Sequence, residues 1–284
     1  MPIVAACPEG ISEEDLEGWY DRFRFYRQPP SREEIVAWIR QFAPEHYPLA
    51  KKLLDNVVLI SDMDIQLGYR AALTALPGWS LNDQERIGRW AFVGLGGQAE
   101  SGPAMLHMFR EANGLTSDRY QGMFVSISEL PALQLTAMDS VIFVDDFAGT
   151  GSQFADRWER YQELISSEAH TYLFLAAATS QALARLDEVE DLTVAATRVM
   201  GPENNILGEA NTYFAAGEKE VVRNYCRIAD RRRPSGWGEC GLLLVISRKT
   251  PNNSLPILHA KAKRWTPIFP RRLQLIAAPP NAAA

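Results

Sequence analysis

Cysteine and histidine are scarce in this chain. Three cysteines, Cys7, Cys226 and Cys240, are spread over 284 residues with no histidine cluster beside them, so neither a disulfide framework nor a zinc site is suggested. The four histidines, His46, His107, His170 and His259, show no metal-ligand spacing, and no Ser-His-Asp arrangement is legible. Long apolar runs are missing as well. No segment reaches the roughly 20 apolar residues a membrane span requires, and the start, MPIVAACPEGISEED, has no basic leader region. The expectation is a cytoplasmic protein with no membrane partner. Positive charge is in deficit, with 29 Lys and Arg against 35 Asp and Glu and a net charge of -6. That balance argues against a protein that grips nucleic acid with its whole surface. The basic residues that cluster are Arg231-Arg232-Arg233, at the end of a helical pattern beginning near Glu218, and Lys261, Lys263, Arg264, Arg271 and Arg272 among Trp265 and Phe269. They read first as helix caps and solvated surface, with a phosphate-contacting edge as the alternative.

What is present is concentrated in Ser140 to Gln153, SVIFVDDFAGTGSQ. Val141 to Val144 form an apolar run that suits a strand covered on both faces in a parallel sheet. Asp145 and Asp146 sit at its carboxyl end. Gly149-Thr150-Gly151-Ser152 then offers unobstructed backbone N–H groups and two hydroxyls before a helical pattern starting near Gln153, a natural anion cradle. The triphosphatase loop is excluded because Gly151 is followed by Ser152 and Gln153, not by Lys and Ser or Thr. The dinucleotide fingerprint fails because its third glycine position holds Phe154, and the acids precede the loop. A plain strand ending in a glycine turn leaves the convergence of acids, glycines and hydroxyls unexplained.

A second unit of this kind precedes it. Phe92 to Gly102, FVGLGGQAESG, is followed by the helical PAMLHMFREANG, with Pro103 suited to a first helical turn. From about residue 90 strands and helices alternate: FVGL, helix 103–112, MFVSI, VIFVDD, helix 153–165, TYLFLAAAT, helix 180–188 and LTVAATRV. This is the α/β signature of a parallel sheet flanked by helices, whose ligands bind outside the strand carboxyl ends, where both glycine loops fall. Residues 1–80 read as a helical domain. Ser31 and Glu34 form a capping box, a second helix covers Tyr47 to Leu59, and Asp62 or Asp64 caps a third running through Leu76. The domain can be winged-helix-like, but its third helix carries only Arg70 as a base. Packing or binding a protein partner therefore suits it better than reading DNA. Pro77-Gly78 marks the boundary, residues 81–275 form the α/β domain with an irregular cap from about 200, and 276–284 read as a disordered tail. The length allows one sizeable core and a smaller companion.

The run of apolar residues, Asp145-Asp146, small residues and Gly149-Thr150-Gly151-Ser152 resembles the phosphoribosyl pyrophosphate loop of type I phosphoribosyltransferases, with Gly149 and Ser152 as departures from the usual form. GQAESGPAMLHMFREANGL, VIFVDDFAGTGSQF and the C-terminal GWGECGLLLVISRKTPNNSLPILHAKAKRWTPIFPRR narrow the resemblance to phosphoribosyltransferase-like proteins of bacterial conflict and defence gene neighbourhoods. The resemblance implies that Asp145 and Asp146 hold ribose hydroxyls and that Ala148, Gly149, Thr150, Gly151, Ser152 and Gln153 hold the 5-phosphate. It implies further that Gly96, Gly97, Gln98, Ser101 and Gly102 cradle pyrophosphate. Mg2+ would bridge the pyrophosphate and the ribose, with the two acids acting on it indirectly. Two functions follow from the resemblance. One is transfer of ribose 5-phosphate from phosphoribosyl pyrophosphate to a nitrogen base or water, in anti-phage defence. The other is a non-catalytic nucleotide sensor that signals through its helices to DNA or a protein partner. The lid expected of such enzymes would fall in GLTSDRYQG, which is short and offers only Arg119 as a cation. An oligomer is compatible with either reading.

Overall fold

The computed structural model describes residues 7–96, 101–165 and 168–271. In chain order its elements are α1 (Glu13–Phe23), α2 (Arg32–Ile39), α3 (Tyr47–Asp55), β1 (Val58–Ile60), α4 (Asp62–Thr74), β2 (Trp90–Gly94), α5 (Gly102–Ala112) and β3 (Ser140–Ala148). There follow α6 (Ser152–Gln162), β4 (His170–Thr179), α7 (Ser180–Asp187), β5 (Leu192–Met200), α8 (Ala216–Ala229), β6 (Leu244–Ile246) and α9 (Pro256–His259). The chain divides into two compact units, one of residues 1–59 together with 212–284, the other of residues 60–211.

The unit of residues 60–211 is the expected α/β structure. β2, β3, β4 and β5 lie in that order as a parallel sheet. Successive side chains of a strand point to opposite faces. Val141, Phe143, Leu173 and Leu175 accordingly share one core with Phe154 and Trp158 of α6. Phe92 and Phe174 instead meet Phe109 of α5, at ring-centroid distances of 5.0 and 6.2 Å. Both faces are covered, which is why Val141–Val144 is apolar throughout instead of alternating.

Three local expectations are corrected. β3 does not stop at the acids: its ladder with β4 continues past Asp145, opposite Leu175, to Ala148 opposite Ala178, so Ala148, expected in the phosphate loop, belongs to the strand. MFVSI is not a strand. It contributes a single bridge, Phe92 to Phe124, because a 3-10 turn ends at Met123 and the Ser126–Glu129 capping box starts the next. The helix placed over Tyr47 to Leu59 ends at Asp55, and Val58–Ile60, with β-branched residues at both ends, pairs with β6.

The boundary expected near residue 80 is also moved. α4 packs on α5, β4 and β5, with Tyr69 5.9 Å from Phe109, so it belongs to the sheet unit. Its cap is Ser61, whose hydroxyl accepts from the Asp64 amide at 3.1 Å while Asp64 reaches back to the Ser61 amide. Asp64 is thus the partner of the cap and not the cap itself. The Ser31–Glu34 box forms as expected. In the other unit the N-terminal helices bury aromatic rings against the C-terminal segment: Phe23 lies 4.9 Å from Phe269 and Phe42 lies 5.4 Å from Trp265. That shared core draws residues 212–271, expected to cap the α/β domain, into one unit with α1, α2 and α3. No helix among the described residues is long and apolar enough to cross a membrane.

Candidate functional site

At the carboxyl end of β3 the two acids are half-buried. The Asp145 carboxylate accepts from its neighbour's amide, Asp146 N–H, at 2.9 Å and from the Ser101 hydroxyl at 3.0 Å. Asp146 accepts from the Phe147 amide at 2.8 Å. Burial, reinforced by the adjacent Asp146 charge, pushes the Asp145 carboxyl well above the usual carboxylate range. From α4, the buried Tyr69 hydroxyl donates to the Asp145 backbone carbonyl at 2.7 Å. Burial first, and the two acids second, hold that phenol protonated. Tyr69 therefore acts as a fixed donor that anchors the strand where the acids emerge.

The glycine-rich loop follows directly. Gly151 caps α6 with φ +70°, a left-handed conformation that side chains rarely adopt. A Cβ there would also lie 3.0 Å from the Ala182 carbonyl oxygen. The turn it allows brings the Thr150 and Ser152 hydroxyls within 3.0 Å of each other, at the positive end of an 11-residue helix. Gln153 is exposed in the first turn of α6.

The loop is held from behind by the start of α7. Thr179 caps that helix, accepting from the Ala182 amide at 3.0 Å, and its hydroxyl donates to the Gly149 carbonyl at 2.6 Å. Two turns on, Arg185 donates to the Ser152 hydroxyl at 2.9 Å and pairs with Asp156 at 3.0 Å. A guanidinium thus stands at the rim of the cradle. Thr179, Arg185 and Tyr69 were not candidates on sequence. Their signals are a Thr before a helical run, an Arg two turns into it and a Tyr on the apolar face of another helix, which are too common to single out.

The first loop meets the same site. Gly102 opens α5 so close to β2 that a Cβ on it would lie 1.7 Å from the Leu95 carbonyl oxygen. No side chain can stand there. Ser101, expected to hold pyrophosphate, is bonded to Asp145. It ties the first loop to the acid pair. Gly96 is exposed after β2, and Gly97 and Gln98 lie outside the described residues. Ser101, Gly102, Asp145, Asp146 and Gly149 to Ser152 thus come from the carboxyl ends of adjacent strands, the place where parallel sheets bind ligands.

As a metal site the acid pair is incomplete. No group of three or more His, Cys, Asp or Glu spaced to hold a metal occurs among the described residues. Two carboxylates are nonetheless the donor set Mg2+ takes from protein when phosphates and water supply the rest. In the place of a lid, Tyr120 is buried within a 3-10 turn and Arg119 donates to its hydroxyl. A family model described as PRTase-CE matches residues 35–271. No curated protein is matched by the chain.

Proposed function

The chain belongs to the PRTase-CE family, which is of phosphoribosyltransferase type, and on that premise we propose that it binds phosphoribosyl pyrophosphate and transfers the ribose 5-phosphate. The observation that carries this reading is the junction of acids and anion cradle at one strand end, with Ser101 bonded to Asp145 and Arg185 bonded to Ser152. Asp145 and Asp146 offer carboxyl oxygens as acceptors to the ribose hydroxyls. The amides of Gly149 to Ser152, the Thr150 hydroxyl and the Arg185 guanidinium hold the 5-phosphate. Asp145 and Asp146 would help to hold Mg2+ through the ribose hydroxyls or water, and the metal would supply charge neutralisation of the pyrophosphate. The bond from C1 to the pyrophosphate oxygen breaks with its electrons leaving on pyrophosphate. The lone pair of a nitrogen base, or of water, forms the new bond at C1, and the acceptor gives up one proton to solvent. Positive charge that develops on the ribose is stabilised by the acid pair. Resemblance to proteins of conflict gene neighbourhoods supports a role in anti-phage defence.

One observation favours the sensor reading: the segment where a lid would close is packed around Tyr120, with Arg119 engaged on it. A sensor keeps the ligand contacts and omits transfer. Pyrophosphate release from phosphoribosyl pyrophosphate with Mg2+, measured with wild type and with Asp146→Asn, tests the proposal. Release by the wild type that the variant loses supports transfer. Binding without release assigns the sensor.

A further inference from the structure

The unit of residues 1–59 and 212–284 carries a charged and aromatic feature that the proposed chemistry leaves unused. After α8 come Arg231, Arg232 and Arg233, all exposed in a chain of net charge -6. No ion pair among the described residues joins any of the three to a carboxylate. The Arg233 guanidinium lies 3.9 Å from the centre of the Trp237 ring, and that indole is 44% exposed. Its face and edge are open to a flat partner beside three guanidiniums.

The loop that presents the ring is built to hold it there. Gly236, Gly238, Glu239 and Gly241 all have positive φ, at 76°, 60°, 54° and 54°. The three glycines adopt it freely, whereas at Glu239 it persists only where the surroundings fix it. They do so here: Gly241 N–H donates to the Ser235 carbonyl at 2.8 Å and closes the loop, and Trp237 N–H donates to the Asn252 carbonyl at 2.8 Å. The Asn253 side-chain amide donates to the Trp237 carbonyl at 3.0 Å. Gly236 sits so near this turn that a Cβ on it would lie 2.5 Å from the Asn253 carbonyl oxygen. The main chain is pinned on both sides of the residue while its side chain, stacked by Arg233, stays partly open to solvent.

An exposed indole, a guanidinium stacked on it and two neighbouring guanidiniums that form no ion pair among the described residues, with Asp230 engaged on the Arg232 amide at 2.9 Å, are complementary to one ligand chemistry. Flat unpaired rings stack on the indole, and phosphates pair with the arginines. We infer that Trp237 and Arg231–Arg233 form a binding platform for single-stranded nucleic acid. A double-stranded partner would satisfy the arginines and not the indole, since its bases are already stacked. An acidic peptide would likewise leave the ring unused.

The test is fluorescence anisotropy of a labelled 15-nucleotide oligothymidylate titrated with the full chain, with no phosphoribosyl ligand present. Binding is expected at 50 mM salt, weaker by about 20-fold at 200 mM, because three phosphate contacts on a single strand give a log–log salt slope of about -2. Trp237→Ala is expected to lose about 5-fold or more, the low end for one stacked base, and Trp237→Phe to lose less. Replacing Arg231, Arg232 and Arg233 by Gln is expected to flatten the salt dependence. Far-UV circular dichroism matching the wild type confirms that each variant is folded. Absence of binding by the wild type at 50 mM salt overturns the inference, as does equal affinity for a 15-base-pair duplex. An unchanged affinity in Trp237→Ala, or displacement of the oligonucleotide by equimolar thymidine monophosphate, overturns it too.

Discussion

Thr179→Val separates the shape of the phosphate loop from its composition, because the substitution touches no loop residue and preserves side-chain volume. Thr179 is 7% exposed, and its one hydroxyl makes two bonds, to the Gly149 carbonyl at 2.6 Å and from the Ala182 amide at 3.0 Å. Loss of a helix cap costs about 1 kcal/mol, and taking the donor from a buried carbonyl costs about 1–3 kcal/mol. The sum is a destabilisation of about 2–4 kcal/mol, or a urea midpoint lower by about 1–2 M at a slope of about 2 kcal/mol per M. Thr179→Ser keeps both bonds and removes one methyl, worth about 0.8 kcal/mol. Urea unfolding followed by circular dichroism gives the midpoints, and calorimetric titration with ribose 5-phosphate gives the affinity of the loop. The Val variant is expected to lose both stability and phosphate affinity, and the Ser variant to keep most of each. Equal midpoints for the two variants, or a Val variant that binds phosphate like the wild type, would refute the claim that α7 shapes the cradle.

Arg185 is half-exposed, and its pair with Asp156 is a surface one, so Arg185→Gln is expected to change stability by less than about 1 kcal/mol. The same variant is expected to weaken ribose 5-phosphate binding by about tenfold, the effect of a charge-assisted hydrogen bond of roughly 1.5 kcal/mol, read by calorimetry. Gly102→Ala places a Cβ 1.7 Å from the Leu95 carbonyl oxygen. It is expected to cost about 1–3 kcal/mol or more as overpacking, read as a lower urea midpoint. Burial, with Asp146 beside it, pushes Asp145 up to about 8, against about 3.9 in an unfolded chain. The folded state holds the proton longer, so the contribution of this group is intact below the unfolded value and is lost as pH rises through about 8. The urea midpoint is therefore expected to fall between pH 5 and pH 9, and to fall less in Asp145→Asn.

The strand, acid pair, loop and helix of residues 140–162 were legible because each step has a local cause: apolar residues for a strand covered on both faces, glycines for the turn, a helical pattern after it. The continuation of β3 past Asp146 to Ala148 was not legible. It depends on a parallel ladder with β4, whose residues are 30 positions away in the pairing of Ala148 with Ala178, and a small residue beside a glycine turn carries no local strand signal. The assignment of α4 to the sheet unit was hidden for the same reason. Its sequence says only that one face is apolar, while Tyr69 reveals by its bond to the Asp145 carbonyl what that face covers. Phe23 and Phe42 likewise show burial without showing that Phe269 and Trp265 bury them. Buttressing by Thr179 and Arg185 is a tertiary fact of the same kind. Motifs made of neighbours in sequence could be read, and partners brought together by the sheet could not.

The most direct test of the central claim is calorimetric titration of phosphoribosyl pyrophosphate, with Mg2+ in the buffer, into the wild type and into Asp145→Asn/Asp146→Asn. The account predicts saturable binding by the wild type at one site per chain, lost in the double variant while its circular dichroism spectrum is unchanged. Wild-type heats no different from dilution, or a double variant that binds as tightly, would contradict it.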